Sequence, residues 1–203
     1  MYKIFTVLGT RPEIIKLSRI INIFDKNFNH KIIHTGQNFD YELNDIFFKE
    51  LNIRKPDFYL NCAKATAIKT ISSVLSSFED LIKKDKPDAI FILGDTNSSF
   101  AALAAKKNNI PVFHYEAGNR CYDNSVPEEL NRKLIDHVAD LNLTYTNISK
   151  QNLINEGLHP EKIIYIGSPM KEVLNFYNHQ VKKSKILKKL NIKKNSFFLV
   201  SLH

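Results

Sequence analysis

Residues 89–96 of the chain are Ala-Ile-Phe-Ile-Leu-Gly-Asp-Thr, an apolar run that ends in a glycine and a carboxylate. Five successive apolar residues are typical of a strand that is covered on both faces, as in a parallel sheet. Gly94 allows a close turn, and Asp95 follows at the carboxyl end of the strand. Ligands of parallel α/β sheets bind in the crevice at that edge. These residues therefore predict a buried strand that places Asp95 at a binding site.

Apolar runs alternate with segments of helical periodicity along the chain, which is typical of repeated βαβ units. The predicted strands are Lys3–Leu8, Lys31–Thr35, Asp57–Leu60, Asp88–Leu93, Val112–Tyr115, Leu141–Thr144 and Ile163–Ile166. The predicted helices lie near residues 12–25, 40–50, 66–84, 97–107, 128–139, 148–156 and 169–178. We therefore expect an α/β fold in which helices cover both faces of a parallel sheet.

Composition excludes several classes of protein. The chain has 203 residues, of which 43% are hydrophobic, and no apolar run approaches the roughly 20 residues of a membrane span. The first residues read as a strand without the pattern of a signal peptide, so we expect a cytoplasmic protein without a membrane partner. Cys62 and Cys121 lie far apart without further ligands at metal spacing, and we expect both to be free thiols.

The net charge of +8 comes almost entirely from the carboxyl-terminal end. Residues 181–203 contain seven lysines and no acidic residue, which leaves 22 basic against 21 acidic side chains in the first 180 residues. A single lysine-rich segment is typical of a solvated helix face, whereas nucleic-acid binding uses a basic surface spread over the fold. We therefore expect no nucleic-acid partner.

Two further carboxylates are predicted at the same edge of the sheet as Asp95. Glu116 follows the strand Val112–Tyr115, and Glu128 follows Pro127 in the first turn of a helix. Carboxylates that converge in one cleft are suited to acid–base chemistry. A metal site built from Asp95, His114 and Glu116 is an alternative, although the short His and Asp signatures that usually accompany such sites are missing, and we expect no metal.

Cationic side chains are predicted beside these carboxylates. The first strand leads into Gly-Thr-Arg-Pro-Glu at residues 9–13, which holds Arg11 over a helix N-terminus, where backbone N–H groups and the helix dipole favour an anion. Lys16 lies about one turn further along and can face the same way. The second strand leads into a polar turn that contains Gln37, which could donate hydrogen bonds to a ligand. The sequence thus predicts an anion site next to acidic groups.

Together, four segments resemble the non-hydrolysing UDP-N-acetylglucosamine 2-epimerases. They are residues 9–13, residues 94–96 (Gly-Asp-Thr), residues 116–118 (Glu-Ala-Gly) and residues 127–132 (Pro-Glu-Glu-Leu-Asn-Arg), and they occur in the order and rough spacing of that family. The whole chain resembles the N-terminal half of such an enzyme. Residues 118–121 and 167–174 look closer to the branch that forms UDP-N-acetyl-L-fucosamine.

This resemblance implies a Rossmann-like N-terminal domain of a two-domain architecture of the glycosyltransferase-B type. We expect residues 1–178 to form this domain. Residues 179–203 would be an interdomain connection followed by the first strand of a second domain, with the strand pattern lying in residues 196–203. The alternative is a final strand that joins the first sheet.

The resemblance also implies a reaction, the 2-epimerisation of a UDP-2-acetamido sugar by elimination and re-addition of UDP, in surface polysaccharide synthesis. It places the acid–base roles on Asp95, Glu116, Glu128 and His203. The substrate contacts are expected from Arg11, Lys16, Gln37 and Arg120. We expect no cofactor, a homodimer at full length, and poor turnover by the 203-residue chain alone.

Three alternatives stay open at this point. The first is a hydrolysing epimerase that releases free N-acetylmannosamine. The second is epimerisation of the UDP-2-acetamido-2,6-dideoxy-L-talose and L-fucosamine pair. The third is a fragment that binds a nucleotide sugar without catalysis.

Overall fold

The computed structural model describes residues 1–36 and 41–200, and these contain seven strands and eight α-helices. The strands are β1 (Lys3–Leu8), β2 (Asn29–His34), β3 (Phe58–Tyr59), β4 (Ala89–Leu93), β5 (Val112–Ala117), β6 (Leu141–Thr144) and β7 (Ile163–Tyr165). The helices are α1 (Arg11–Asn27), α2 (Tyr41–Glu50), α3 (Ala67–Lys84), α4 (Ala101–Lys107), α5 (Pro127–Val138), α6 (Asn147–Asn155), α7 (Met170–Lys183) and α8 (Ile186–Lys189). Each of the seven predicted strands is present, and α7 extends five residues beyond its predicted end.

All seven strands are parallel, in the order β3-β2-β1-β4-β5-β6-β7. The direction in which the chain adds strands reverses between β1 and β4. This switch point is where doubly wound α/β proteins bind their ligands, because the two βα turns diverge there and open a crevice. The predicted Rossmann-like sheet is confirmed.

Helices cover both faces of the sheet, as predicted. Successive side chains of a strand point to opposite faces, so β1 contributes to two separate cores. Phe5 and Val7 pack with Phe78 of α3 in one core, whereas Leu8 packs with Ile14 of α1 in the other. All five of these side chains are buried, which explains why the strand sequences are almost continuously apolar.

The chain divides into two compact units, Met1–Pro169 and Met170–His203. The second unit contains α7 and α8, followed by residues 190–200 without helix or strand. The strand predicted from residue 196 onward is not observed up to residue 200. Its apolar side chains Phe198 and Leu199 are almost fully exposed.

The alternative in which this segment joins the first sheet is likewise not observed for residues 196–200, since the sheet ends at β3 and β7. Residues 201–203 lie outside the described part of the chain. The boundary predicted after residue 178 falls within the second unit, and the assignment of residues 179–203 to a connection and a second domain stays a prediction.

Both cysteines are free thiols, as expected from their separation in the sequence. Cys62 is buried, and burial raises the pKa of its thiol, whereas Cys121 is exposed. None of the helices in the described ranges combines the length and the apolar character that crossing a membrane requires.

Two glycines with left-handed backbones offer a matched test of packing in the first unit. Gly157 follows α6 with a φ of +91°, and a methyl group there would meet no atom within 4 Å. Gly118 has a φ of +77°, but a methyl group there would lie 2.2 Å from the backbone oxygen of Ser149. We expect Gly157→Ala to lower the free energy of unfolding by about 1–2 kcal/mol, and Gly118→Ala by roughly a further 1–3 kcal/mol from overpacking.

Urea denaturation of both variants, followed by circular dichroism, measures the difference. Equal losses would show that backbone strain alone sets the cost and that the contact with Ser149 relaxes without penalty.

Candidate active site

The side chain of Glu13 connects the turn after β1 with the turn after β4, one on each side of the switch point. Its buried carboxylate accepts the backbone N–H groups of Gly9 and Thr10 at 2.6 and 2.7 Å through Oε2. Its Oε1 accepts the hydroxyl of Thr96 at 2.6 Å. Burial raises the pKa of Glu13, and these hydrogen bonds oppose that rise. Because Gly9 and Thr10 follow β1 while Thr96 follows β4, one side chain fixes both turns.

These contacts correct part of the anion site predicted from residues 9–13. The N–H groups of Gly9 and Thr10 already donate to Glu13, so they are not available to a ligand. The protein's own carboxylate thus complements the start of α1. Arg11 lies exposed at the first position of this helix and forms no ion pair with any residue that the structure describes. Of the predicted anion site, the exposed side chain of Arg11 is therefore the part that stays open to a ligand, whereas the N–H groups of Gly9 and Thr10 do not.

Glu116 lies in an irregular part of β5. Its φ of 74° is left-handed, and the register between β5 and β6 shifts between Tyr115 and Ala117. A bulge of this kind redirects a side chain relative to the regular strand. Left-handed backbone is costly for a residue other than glycine, and such strain is concentrated at functional sites. The local backbone therefore supports a functional role for Glu116.

Two donors hold the carboxylate of Glu116. Lys16 of α1 donates from Nζ to Oε2 at 2.6 Å, and the phenol of Tyr145, after β6, donates to the same oxygen at 3.3 Å. A methyl group at Gly94 would lie 3.7 Å from this oxygen, so the carboxylate lies beside the turn that carries Asp95. Lys16 thus lies at the predicted site, but as the partner of an acid–base candidate.

Asp95 is held by Arg132 of α5. The guanidinium donates from Nε to Oδ2 of Asp95 at 2.9 Å and from Nη2 to the same oxygen, and Asn131 donates to the Asp95 carbonyl at 2.9 Å. Arg132 also donates to Glu129 at 2.7 Å. These contacts join the start of α5 to the end of β4, and therefore bring the predicted helix carrying Glu128 to the same edge.

Glu129, and not Glu128, is the buried member of the acidic pair. Its carboxylate accepts the backbone N–H groups of Cys121 and Tyr122 at 3.1 and 3.2 Å. Burial raises the pKa of Glu129, but these bonds and Arg132 outweigh it and lower the pKa to about 2. Glu128 is exposed in the first turn of α5 and makes no hydrogen bond with any described residue. Glu129 therefore fixes the loop, and Glu128 is left facing outward.

The guanidinium of Arg120 forms ion pairs with acidic side chains of the chain itself. Its side chain is fully buried, with Nη1 at 2.7 Å from Asp136 and Nε at 2.7 Å from Glu156. The Asn119 carbonyl accepts a further bond from Nη1 at 2.7 Å. The guanidinium therefore joins α5 to α6, and these contacts do not support the substrate-binding role predicted for Arg120.

The buried side chain of His114 lies between the Arg120–Asp136 ion pair and the turn after β4. His114 lies with Nε2 at 2.9 Å from the Gly94 carbonyl and Nδ1 at 2.9 Å from Asp136. Nε2 faces the carbonyl as a donor, whereas the Nδ1 contact has ion-pair distance without hydrogen-bond geometry. Burial lowers the pKa of His114, but Asp136 and the Gly94 carbonyl outweigh it and raise the pKa above its ordinary value. Because Nε2 faces the Gly94 carbonyl and Nδ1 faces Asp136 in the buried interior, the alternative of a metal site that includes His114 does not fit this geometry.

Two predicted site residues, Gln37 and His203, lie outside the described residues. The others fall into two groups. Asp95, Glu116 and Lys16 meet at the switch point, with Arg11 and Glu128 on helix starts at the same edge, whereas Arg120 lies in the internal ion pair.

Sequence reasoning did not assign roles to Glu13, Arg132 or Tyr145. Two of these residues lie at sequence spacings that indicate their contacts. Glu13 is three residues after Thr10, the spacing of a capping box. Arg132 is three residues after Glu129, the spacing of a helix ion pair. Nothing local marks Tyr145, whose contact with Glu116 spans 29 residues.

The family model for UDP-N-acetylglucosamine 2-epimerase matches residues 23–203 of the chain. The chain belongs to the UDP-N-acetylglucosamine 2-epimerase family. A UDP-N-acetylglucosamine 2-epimerase homolog of Methanococcus maripaludis is 40% identical, over 99% of this chain and 57% of its own length. A UDP-2,3-diacetamido-2,3-dideoxy-D-glucuronate 2-epimerase of Pseudomonas aeruginosa is 39% identical, over 86% of this chain and 51% of its own length. The chain thus spans about half the length of the curated relatives it matches.

Solved structures agree with the family assignment. The UDP-N-acetylglucosamine 2-epimerase of Rickettsia bellii is 49% identical with a TM-score of 0.91, over 95% of this chain and 52% of that chain. The Methanocaldococcus jannaschii enzyme, solved with UDP-GlcNAc and UDP, is 38% identical with a TM-score of 0.88, over 93% and 52%. A lipopolysaccharide outer core galactosyltransferase with 17% identity and a TM-score of 0.59, over 82% and 45%, shares the fold alone.

The raised pKa of His114 predicts a pH dependence of the stability of this chain. A folded-state pKa above the unfolded value of about 6.5 means that the histidine contributes stability below that pH. This contribution is lost as the pH rises through the folded-state pKa. We expect the free energy of unfolding of the chain to fall between neutral and alkaline pH, and His114→Gln to reduce that slope.

Urea titrations at a series of pH values measure both slopes. Identical slopes for the two proteins would show that His114 does not change its protonation on unfolding.

Proposed function

We propose that this chain supplies the acid–base groups of a non-hydrolysing UDP-N-acetylglucosamine 2-epimerase. One observation carries the proposal: Asp95 and Glu116 lie at the ends of neighbouring strands beside the switch point, each fixed by a cation from a different helix. A sheet edge that fixes two carboxylates, and on which an exposed arginine has no ion-pair partner among the described residues, suits proton transfer coupled to the departure of a phosphate.

The reaction has two halves. The proton at C2 of a UDP-2-acetamido sugar is not adjacent to a carbonyl, so its removal needs a second favourable event. We propose that a base takes this proton while the C1–O bond to UDP breaks, so that the C2–H electron pair forms a C1–C2 double bond. UDP then adds back at C1, and C2 receives a proton on its opposite face. This sequence inverts C2 and consumes nothing.

The structure supports a division of roles among the predicted residues. Asp95 and Glu116 have fixed directions, and Glu128 is exposed at the start of α5, so these three are the proposed acid–base groups. Lys16 is engaged with Glu116, which leaves Arg11 as the exposed cation for the departing diphosphate. Gln37 and His203 stay predictions, together with the cytoplasmic location and the homodimer.

The substrate class is a UDP-2-acetamido sugar, and we propose UDP-N-acetylglucosamine, for surface polysaccharide synthesis. Support comes from the Methanocaldococcus enzyme, which was solved with UDP-GlcNAc and UDP. The Pseudomonas relative is named for a UDP-2,3-diacetamido uronate, and for that reason other 2-acetamido sugars, including the L-talose and L-fucosamine pair, are kept as second candidates.

Proton NMR in D₂O tests the proposed function. The test uses a chimera in which this chain is joined to the part of the Methanococcus maripaludis relative that the chain does not cover. This chimera is called the completed protein below. We expect UDP-N-acetylmannosamine to form from UDP-N-acetylglucosamine with deuterium at C2. Release of free sugar would instead identify the hydrolysing reaction, and binding without deuterium incorporation would identify a nucleotide-sugar-binding module.

Removal of single carboxylates tests the assigned roles in the completed protein. We expect Asp95→Asn, Glu116→Gln and Glu128→Gln each to lower kcat by about 10²–10⁴, the usual contribution of a general acid or base. Glu161→Gln is the matched control, because Glu161 is exposed in a different turn, and it should change kcat by less than about twofold. A carboxylate variant with the kcat of the control would lose its proposed role.

The isolated 203-residue chain should show little or no turnover. The chain spans about half the length of its relatives, so it lacks the substrate contacts that we expect from the other half. Binding energy from the non-reacting parts of a substrate lowers the barrier at the reacting atoms, and we expect most of that energy to be missing. Deuterium incorporation at C2 measures turnover in this chain and in the completed protein. Equal rates in the two would contradict the prediction.

A further inference from the structure

Tyr145 contacts one of the proposed acid–base groups, although it lies outside the four motifs that resemble the epimerase family. It follows β6 and immediately precedes Thr146, the N-cap residue of α6. Its phenol donates to Oε2 of Glu116 at 3.3 Å. Lys16 donates to the same oxygen at 2.6 Å, and its Nζ lies 5.9 Å from the centre of the Tyr145 ring. Donors from two separate elements of the fold, α1 and the segment after β6, therefore converge on one carboxylate oxygen of β5.

The direction of the hydrogen bond is fixed by chemistry. Burial of Tyr145 raises the pKa of its phenol, and the negative charge of Glu116 raises it further. The phenol therefore keeps its proton in the neutral pH range, and Tyr145 is the donor while Glu116 is the acceptor.

The ring of Tyr145 is itself held in place. It packs edge-on against Tyr115, with ring centres 5.1 Å apart and planes at 88°. The Tyr115 hydroxyl donates to the Gly167 carbonyl at 2.9 Å. Tyr115 directly precedes Glu116 at the bulge of β5. The strand irregularity that redirects Glu116 therefore also supplies the surface on which Tyr145 rests.

The two oxygens of Glu116 have different surroundings. Oε2 accepts hydrogen bonds from Lys16 and Tyr145, whereas Oε1 accepts none from the described residues. A carboxylate oxygen with two donors has little capacity for a further proton, so Oε1 is the oxygen open to a substrate.

We propose that Tyr145 is a positioning residue which, with Lys16, occupies Oε2 of Glu116 and thereby presents Oε1 as the proton-transferring atom. This proposal rests on the proposed epimerase function. It assigns to Tyr145 no contact with the sugar and no proton transfer of its own.

Kinetics of the completed protein test the role in catalysis. Tyr145→Phe keeps the ring and removes only the hydroxyl, and we expect kcat to fall about ten- to a hundredfold, as for loss of a hydrogen bond to a charged group. KM should change less than about twofold, because substrate contacts are retained. The matched control is Tyr115→Phe, which removes a neighbouring phenol that donates to a backbone carbonyl, and its kcat should stay within about threefold of the parent.

A double-mutant comparison separates positioning from a general structural effect. If Tyr145 acts through Glu116, the protein with both Glu116→Gln and Tyr145→Phe should be as slow as Glu116→Gln alone, within about twofold. If the two losses multiply, Tyr145 does not act through Glu116 and the proposal is wrong. A Tyr145→Phe protein with the parent kcat would overturn it equally.

Carbon NMR of the 203-residue chain tests the contact without any turnover. With ¹³C-labelled glutamate, the carboxyl signal of Glu116, assigned by its loss in Glu116→Gln, should shift in Tyr145→Phe and stay in place in Tyr115→Phe. An unchanged signal in Tyr145→Phe would overturn the proposal. If the signal shifts but the completed protein incorporates no deuterium, the contact is real and the proposed epimerase function is what fails.

Discussion

The geometry of the switch point depends on the buried carboxylate of Glu13. A doubly wound sheet opens a crevice where its strand order reverses, because the turns on either side lead to helices on opposite faces. Glu13 spans that opening and binds the turn after β1 to the turn after β4. Loss of such a carboxylate would leave two backbone N–H groups unsatisfied in a buried place, so the contact is strongly constrained. The positions of Arg11, Lys16 and Asp95 all follow from those two turns.

A second set of buried charged groups contacts the turn after β4. The ion pair of Arg120 with Asp136 and the contact of Asp136 with His114 form a continuous buried network that ends at the Gly94 carbonyl. Ion pairs in such places rarely add net stability, because both partners lose their hydration. The network positions the turn that carries Asp95, because His114 binds the Gly94 carbonyl. Arg132 in turn binds the carboxylate of Asp95.

The elements of the fold could be predicted because they depend on local patterns. Apolar runs, proline at helix starts and glycine at turns place every strand and helix of the first unit to within a few residues. The segment from residue 196 shows the limit of that approach, since its pattern is that of a strand but strand formation requires a neighbour, and residues up to 200 have none. The predictions for Asp95, Glu116 and Lys16 depended on strand ends, which parallel topology brings together. By contrast, Arg120 and Tyr145 are defined by contacts across 16 and 29 residues, and no local pattern reports them.

The pairing of Lys16 with Glu116 joins the two mononucleotide-type halves of the sheet. The first half, up to β3, contributes the positive side chains, and the second half, from β4 to α5, contributes the carboxylates. Each half is a continuous stretch of chain, so the cations and the carboxylates of the proposed site are encoded in separate segments. Exchange of the first βα unit between relatives would therefore replace Arg11 and Lys16 together and leave Asp95, Glu116 and Glu128 in place, with the Lys16–Glu116 pair as the contact that has to be retained.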